Sequence, residues 1–273
     1  MEIRGFSRQY GPGCPRCLEL TGPEADSNVC PECRTVVACN QIDLNLGAGE
    51  ILGVVGESGS GKSTLVRCLY LTEEATAGEC FLAAYDSGNT NIFSESSQKQ
   101  RFIRNHLMGI VYQNPLLGIK PHFTAGGNVA EKLLTAEVYN YGLIRGRAAE
   151  LLTRTEVPLE RMDDFPATFS GGMQQRVQIA KALANNPPIL FLDEVTTGLD
   201  VSVQARVLDL IKEIQRDLDI SMLVVSHDLG VIRILADRTV VMKNGRIVEA
   251  GLTDQIMEDP QHRYTQLLVH SML

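Results

Sequence analysis

A glycine-rich stretch at residues 56–63, Gly-Glu-Ser-Gly-Ser-Gly-Lys-Ser, constrains this chain more than any other part of its sequence. It fits the pattern G-x-x-x-x-G-K-[ST], in which glycines let the backbone curl so that several N–H groups point at one anion. The apolar run 51–55 predicts a buried strand before the stretch, and residues 64–69 predict a helix after it. A turn without a ligand is the alternative, but the strand, loop and helix in this order favour a phosphate site. Lys62 would reach the β- and γ-phosphates, and the Ser63 hydroxyl would hold Mg²⁺.

The composition narrows the class of protein. The 273 residues are 44% hydrophobic and 21% charged, which is ordinary for a globular chain of one or two domains. The net charge of −8 argues against a nucleic-acid partner and against electrostatic binding to a membrane surface. No apolar run approaches the roughly 20 residues that cross a bilayer, and the N-terminus has no signal-peptide core. We therefore expect a cytoplasmic protein.

Four of the seven cysteines form two C-x-x-C pairs within residues 11–37. Cys14 and Cys17 make up the first pair, and Cys30 and Cys33 make up the second. Each pair contains a proline that favours a tight turn, and thiolates at this spacing can complete a tetrahedral S₄ metal site. The sequence predicts Zn²⁺ there. An iron–sulfur cluster and free structural thiols remain as alternatives.

Three further apolar runs predict core strands that end in polar residues. Residues 109–112 end at Gln113, residues 189–192 end at Asp193 and Glu194, and residues 220–225 are followed shortly by His227. Carboxylates at the carboxyl end of a buried strand suit a magnesium–nucleotide site. The alternative for the two acids is a helix cap and a surface acid. His227 is predicted at the same sheet edge as Asp193 and residues 56–63, which favours a functional role over simple packing.

The remaining segments predict mostly helix. Residues 98–106 and 128–156 show helical spacing, and Ser170, Gly171 and Gly172 open a long helix over 172–185. Residues 42–46 and 79–84 predict strands, and residues 86–97 predict a surface loop. Asn244 and Gly245 predict a type I′ turn between two strands. Residues 253–273 predict helix with a break at Pro260.

Taken in order, these motifs resemble those of the ATP-binding cassette ATPases over nearly the whole chain outside residues 11–37. The resemblance implies an ATPase that binds ATP and Mg²⁺. Gln113 matches the glutamine that touches Mg²⁺ and senses the γ-phosphate, and Asp193 matches the aspartate that supports Mg²⁺. Glu194 matches the base that polarises the attacking water. His227 matches the switch histidine. The phosphate-binding residues implied are Gly56, Ser58, Gly59, Ser60, Gly61, Lys62, Ser63 and Thr64.

The resemblance also implies a site that two chains complete together. Ser170, Gly171 and Gly172 match the signature motif, which closes on ATP held by the opposite protomer of a homodimer or heterodimer. Asp200 matches the D-loop, and Tyr10 resembles the residue that stacks on adenine. The chain departs from the family at Val195, where proline usually follows the glutamate.

The fold class that this resemblance implies is α/β: a P-loop NTPase core of the ATP-binding cassette type, with a RecA-like lobe and an antiparallel β subdomain. One domain would span residues 1–273. A helical signature subdomain would occupy residues 114–168, and a small zinc-ribbon-like insert would occupy residues 11–37.

Within the family, the segments 114–128, 163–176 and 198–206 resemble the K subunits of the phosphonate carbon–phosphorus lyase systems. These subunits usually lack the cysteine insert. The resemblance implies a subunit that drives conformational change in the lyase complex and docks on the lyase core. The alternative is the ATPase of an importer for peptides, nickel or phosphonates, which would work with transmembrane permease subunits and lie peripherally on the inner membrane.

Overall fold

The computed structural model describes residues 1–271, and residues 272 and 273 at the end of the predicted helical tail lie outside the described residues. The strands are β1 Glu2–Tyr10, β2 Val36–Asn45, β3 Ile51–Val55, β4 Ala77–Phe81, β5 Met108–Val111, β6 Ile189–Asp193, β7 Ser221–Val225, β8 Arg238–Lys243 and β9 Arg246–Leu252. The helices are α1 Lys62–Leu69, α2 Ser97–His106, α3 Pro115–Gly118, α4 Ala125–Thr135, α5 Tyr141–Arg154, α6 Gly171–Ala182, α7 Val201–Leu218, α8 Leu229–Leu235, α9 Thr253–Glu258 and α10 Arg263–His270. The chain begins with three strands, and four α-helices stand between β5 and β6.

The chain divides into two compact units. Within the described residues, the first unit comprises residues 1–100 and 223–271. The second comprises Arg101–Met222. The first unit contains a three-stranded antiparallel sheet in the order β2-β1-β4. It also contains β3, which pairs in parallel with β8, and β8 pairs antiparallel with β9. In the second unit, β5 pairs in parallel with β6.

The strands that precede the predicted site residues are buried along their whole length. All residues of β3, β5, β6 and β7 are buried. This burial explains why these segments are continuous apolar runs in the sequence rather than alternating ones. By contrast, β2 alternates from Gln41 onward, with Ile42 and Leu44 buried between exposed polar residues.

Several predicted boundaries are wrong. The helical segment 128–156 is two helices, because α4 ends at Thr135 with Glu137 in a left-handed conformation (φ 62°). The Val138 N–H donates to the Leu133 carbonyl to close that end, and Asn140 caps α5 through its side-chain oxygen. The strand predicted at 42–46 begins earlier, at Val36, because Tyr10 pairs with Val36 across the β1–β2 ladder. The strand predicted at 79–84 lies at Ala77–Phe81, since the chain turns at Leu82–Tyr85.

The hairpin prediction is confirmed. Asn244 (φ 44°) and Gly245 (φ 81°) occupy the two-residue turn, and Lys243 pairs with Arg246 on either side of it. Both φ angles are positive, as a type I′ turn requires. This turn lies against the glycine-rich stretch, as described below.

Candidate functional site

Residues 56–63, here called the phosphate loop, join β3 to α1 in the first unit. Gly56, Gly59 and Gly61 have φ angles of 151°, 83° and 105°, which side chains other than glycine rarely adopt. A Cβ at Gly56 would lie 2.1 Å from the Met242 carbonyl oxygen, and a Cβ at Gly61 would lie 2.0 Å from that of Ala38. The glycines are therefore required by backbone crowding as well as by the curl of the loop.

The lysine of the phosphate loop is held inside it. The Lys62 ammonium donates hydrogen bonds to the carbonyl oxygens of Gly56 at 2.7 Å and Glu57 at 2.8 Å. Only 4% of the residue is exposed, although Ser58 and Gly59 at the loop tip are exposed. A buried cation beside a ring of backbone groups suits an anionic ligand.

Two other predicted residues of the first unit stand at strand ends. Tyr10 is the last residue of β1 and is 36% exposed. Its hydroxyl donates a hydrogen bond to the Glu73 carboxylate, and the Arg8 guanidinium carbon lies 4.4 Å from the centre of its ring. Burial and this hydrogen bond raise the pKa of the Tyr10 phenol above its usual value. His227 follows β7 by two residues and is exposed. The Ser226 N–H before it donates to the Val54 carbonyl of β3 at 3.1 Å.

In the second unit, β6 delivers the two predicted carboxylates. Asp193 is the last residue of β6 and is 7% exposed. Glu194 follows in a left-handed conformation (φ 51°), which is uncommon for a residue other than glycine. Its carboxylate accepts a hydrogen bond from the Thr197 hydroxyl at 3.4 Å. Val195, the departure from the family pattern, is 4% exposed and packs as a core residue.

Gln113 lies exposed two residues after β5, and the backbone before it is clamped by glutamines that the sequence analysis missed. The Gln178 side chain accepts from the Tyr112 N–H at 2.7 Å and donates to its carbonyl at 3.1 Å. Gln175 donates to the same carbonyl at 3.4 Å. The signal available in the sequence was amide side chains on the face of α6 that is otherwise buried and apolar.

The predicted signature residues stand at a free helix start. Ser170 caps α6 by accepting from the Met173 N–H, and both Ser170 and Gly171 are exposed. Gly172 faces α7, where a Cβ would lie 2.6 Å from Val203. Asp200 caps α7 through hydrogen bonds from the Ser202 hydroxyl and the Val203 N–H, and these lower the pKa of its carboxyl. An exposed helix N-terminus of this kind suits an anion brought by another molecule.

The four cysteines cluster in residues 11–35, the cysteine loop, which joins β1 to β2. Their sulfur atoms all lie within 4.8 Å of one another. The Sγ–Sγ distances are 3.5 Å for Cys14–Cys17, 3.7 Å for Cys14–Cys30 and 3.3 Å for Cys17–Cys33. A tetrahedron with metal–sulfur bonds of about 2.3 Å has sulfur–sulfur edges of about 3.8 Å. The cluster can therefore hold one metal ion at its centre.

The cysteine loop has little other core. Its buried residues Cys17 and Cys30 cluster with Val37 of β2, and Leu18, Leu20 and the two remaining cysteines pack against this cluster. The thiols differ in acidity: surrounding groups desolvate Cys14 and raise its pKa to about 12, whereas hydrogen bonding to Thr35 lowers the pKa of Cys33 to about 6. Four close thiols become thiolates together only when a cation offsets their charge.

The family model described as ABC transporter matches residues 39–197, which is more than half of the chain. The chain belongs to the ABC transporter family. It is an ATPase of this family, and ATP and Mg²⁺ are the ligands that the family implies. Oxygen donors such as the Ser63 hydroxyl, the Gln113 amide and the Asp193 carboxylate are of the kind that Mg²⁺ prefers.

Curated relatives agree with this assignment. The chain is 47% identical over 234 residues to the phosphonates utilization ATP-binding protein PhnK of Escherichia coli (strain K12), a match that covers 86% of this chain and 91% of the relative. It is 38% identical over 239 residues to the oligopeptide transport ATP-binding protein OppD of Bacillus subtilis (strain 168), with 87% of this chain and 67% of the relative covered.

Solved structures confirm the fold class. The ATP-binding cassette MJ0796, in a dimeric post-hydrolysis state bound to ADP and Pi, is 28% identical with a TM-score of 0.76, and the match covers 92% of this chain and 98% of that one. CbiO1 from Clostridium perfringens is 24% identical with a TM-score of 0.75, and the match covers 99% and 97% of the two chains, so it supports the fold alone. Among residues 1–271, no helix combines the length and apolar character required to cross a bilayer.

Replacing Gly61 with alanine tests whether the phosphate loop is as crowded as its backbone contacts indicate. We expect Gly61→Ala to lower the free energy of unfolding by at least about 2 kcal/mol, because φ is +105° and the Ala38 carbonyl oxygen lies 2.0 Å from the added Cβ. ATP affinity should fall with it. Urea unfolding and equilibrium ATP binding measure the two effects.

Gly146→Ala is the matched control, because Gly146 lies within α5 and a Cβ there meets nothing within 4 Å. Alanine at that position should leave stability unchanged or raise it by about 0.5–1 kcal/mol. Equal stability of the Gly61→Ala protein and the unmodified chain would contradict the crowding.

Proposed function

We propose that the chain is the ATP-hydrolysing subunit that drives conformational change in a phosphonate carbon–phosphorus lyase complex. The observation that carries the proposal is the 47% identity to PhnK, which exceeds the 36–38% identity to the peptide-importer ATPases. The second candidate is the ATPase of an importer, which those same relatives support. Both candidates hydrolyse ATP in the same way and differ in the partner whose conformation they change.

ATP hydrolysis here depends on positioning the reactants and stabilising charge, because phosphoryl transfer requires little covalent chemistry from the protein. We propose that Lys62 neutralises the β- and γ-phosphates while the loop N–H groups cradle them. Ser63, Gln113 and Asp193 would hold Mg²⁺. Glu194 would accept a proton from the attacking water, and His227 would respond to the γ-phosphate. Tyr10 would stack on adenine once its link to Arg8 gives way.

The exposed start of α6 supports a second protomer as the missing part of the site. Ser170 and Gly171 are exposed at this helix N-terminus, where backbone N–H groups lack partners within the helix. We propose that these groups close on ATP bound to another ABC protomer, with Asp200 beside them, so that ATP joins two chains and hydrolysis releases them. The dimeric state named for the MJ0796 cassette supports this arrangement. The partner protomer can be a copy of this chain or a related subunit.

We further propose that the cysteine loop binds Zn²⁺. Four sulfur ligands with near-tetrahedral spacing favour zinc, and sulfurs within 4.8 Å of one another surround a single ion rather than a cluster of several irons. The loop has few apolar contacts of its own, so the ion would supply much of its stability.

Capture with a trapped bait tests the proposed partner. In Glu194→Gln the amide cannot accept the water proton, so ATP hydrolysis should fall at least about 100-fold while ATP stays bound. Tagged Glu194→Gln protein is isolated with MgATP from the soluble and membrane fractions of cells that grow on a phosphonate as phosphorus source. Mass spectrometry should find lyase subunits in the soluble fraction.

Lys62→Ala serves as the control bait, because loss of the buried cation should prevent ATP retention and hence ATP-dependent capture. Lyase subunits should therefore be absent or strongly reduced with this bait. Enrichment of permease subunits from the membrane fraction, with no lyase subunit in either fraction, would reject the lyase proposal in favour of the importer.

Elemental analysis tests the proposed metal. The purified chain should contain about one zinc ion, and Cys14→Ser should lose most of it, because three thiolates hold the ion far less tightly than four. Cys80→Ala is the matched control: this buried thiol lies in β4, outside the cluster, and its loss should leave zinc content unchanged. An equal zinc content in the Cys14→Ser protein and the unmodified chain would contradict the proposed zinc site.

A further inference from the structure

The cysteine loop touches the phosphate loop directly. The Asn28 side-chain amide donates a hydrogen bond to the Gly59 carbonyl oxygen at 3.1 Å. Gly59 is exposed at the tip of the phosphate loop, and a Cβ there would meet nothing within 4 Å. Asn28 therefore provides a hold on a part of the loop that side-chain packing leaves free.

The contact acts on a peptide group that is also tied from its other side. The C=O and N–H of one trans peptide point in opposite directions, so fixing the Gly59 carbonyl fixes the Ser60 N–H as well. That N–H donates to the Glu57 carbonyl at 3.1 Å, and the Ser60 carbonyl accepts from the Gly245 N–H at 3.0 Å. Two successive peptide groups of the phosphate loop are thus held in defined orientations.

The same stretch of the cysteine loop is anchored to the β8–β9 turn. The Asp26 carboxylate pairs with the Lys243 ammonium at 2.7 Å, and this lowers the pKa of the carboxyl. The Arg246 guanidinium donates to the Leu18 carbonyl at 3.0 Å. The turn carries Gly245, which holds Ser60, so the cysteine loop reaches the phosphate loop both directly and through the turn.

Asn28 is also tied closely to the metal ligands. It precedes Cys30 by two residues, and its carbonyl accepts from the Val37 N–H at 2.8 Å. Val29 forms an isolated bridge with Val36, and the Cys30 N–H donates to the Thr35 carbonyl at 2.9 Å. Asn28 and Cys30 are therefore held by one short backbone ladder against residues 35–37, which fixes Asn28 close to the cysteine cluster.

From these contacts we infer that Asn28 is a positioning residue for ATP binding and that a metal ion in the cysteine cluster sets its position. The inference rests on the proposed zinc site and ATP site. With the ion bound, Asn28 fixes the orientation of the Gly59–Ser60 peptide, so the phosphate loop is ordered before ATP binds. Without the ion, this hold is lost and ATP binds more weakly. Nucleotide affinity thereby follows metal occupancy.

The inference is tested by Asn28→Ala and Asn28→Asp in the metal-loaded chain. Loss of one hydrogen bond that pre-orders the loop should raise the KM for ATP about three- to tenfold, with kcat within about twofold of the unmodified chain. Asn28→Asp has nearly the same size but cannot donate, so it should raise KM at least as much. The zinc content of both variants should equal that of the unmodified chain. The equilibrium affinity for ATP is measured by making the same Asn28 substitutions in the Glu194→Gln chain, which does not hydrolyse the nucleotide.

Asn89→Ala is the matched control. Asn89 is exposed in the same unit, and its side chain donates within its own turn, to the Asp86 carbonyl. Its replacement should leave KM and kcat unchanged. An Asn28→Ala KM within about 1.5-fold of the unmodified value would overturn the positioning role.

Metal removal completes a double-mutant cycle. Removal of zinc by a chelator, which is itself removed before MgATP is added, should raise the KM of the unmodified chain about as much as Asn28→Ala does. The same treatment should add less than about twofold in the Asn28→Ala protein. Fully additive effects, or an unchanged KM in the metal-free chain, would overturn the metal dependence. The assay uses the isolated chain, so its result is independent of the partner captured above, and absence of zinc would show separately in the elemental analysis.

Discussion

The close approach of the phosphate loop to two neighbouring backbone segments is the constraint on which the site depends. Carbonyl oxygens of Ala38 in β2 and Met242 in β8 occupy the space where side chains of residues 61 and 56 would begin. Only glycine fits at these points, so the loop can curl between them. Lys62 then folds back onto the loop carbonyls and places its charge at the centre of the curl.

The cysteine loop gains its significance from this constraint. It leaves β1 at Tyr10 and returns to β2 at Val36, two residues before the carbonyl that crowds Gly61. A loop that leaves and returns at these points lies beside the phosphate loop, and Asn28 contacts Gly59 directly. The contacts of Asn28 and Asp26 follow from that placement, and they join a candidate metal site to the candidate nucleotide site within one unit.

Much of this could be predicted from the sequence. The buried strands β3, β6 and β7 are apolar runs apart from Asp193 at the end of β6 and Ser221 at the start of β7. The Asn244-Gly245 turn and the paired cysteines carry local signals that do not depend on distant residues. The ABC transporter family and its fold class followed from the order of the motifs, and the comparisons confirm both. The roles predicted for the individual site residues remain predictions.

Other features depend on contacts that no local pattern reports. Gln178 clamps the backbone of Tyr112 from 66 residues away, and Asn28 reaches Gly59 across 31 residues. The left-handed conformation of Glu194 is set by the turn that follows β6 and has no glycine to mark it. The break between α4 and α5 was missed because apolar spacing continues across it, while the cap at Asn140 is a single polar residue.

Hydrogen–deuterium exchange of the isolated chain with and without bound zinc tests most directly whether the cysteine loop orders the phosphate loop. Removal of zinc should speed exchange over residues 56–64 and 243–246, where the Ser60 and Gly245 N–H groups are hydrogen-bonded. Helix α7, in the other unit, should exchange at the same rate in both states and so exclude general unfolding. Unchanged exchange over residues 56–64 after zinc has been removed would contradict the account.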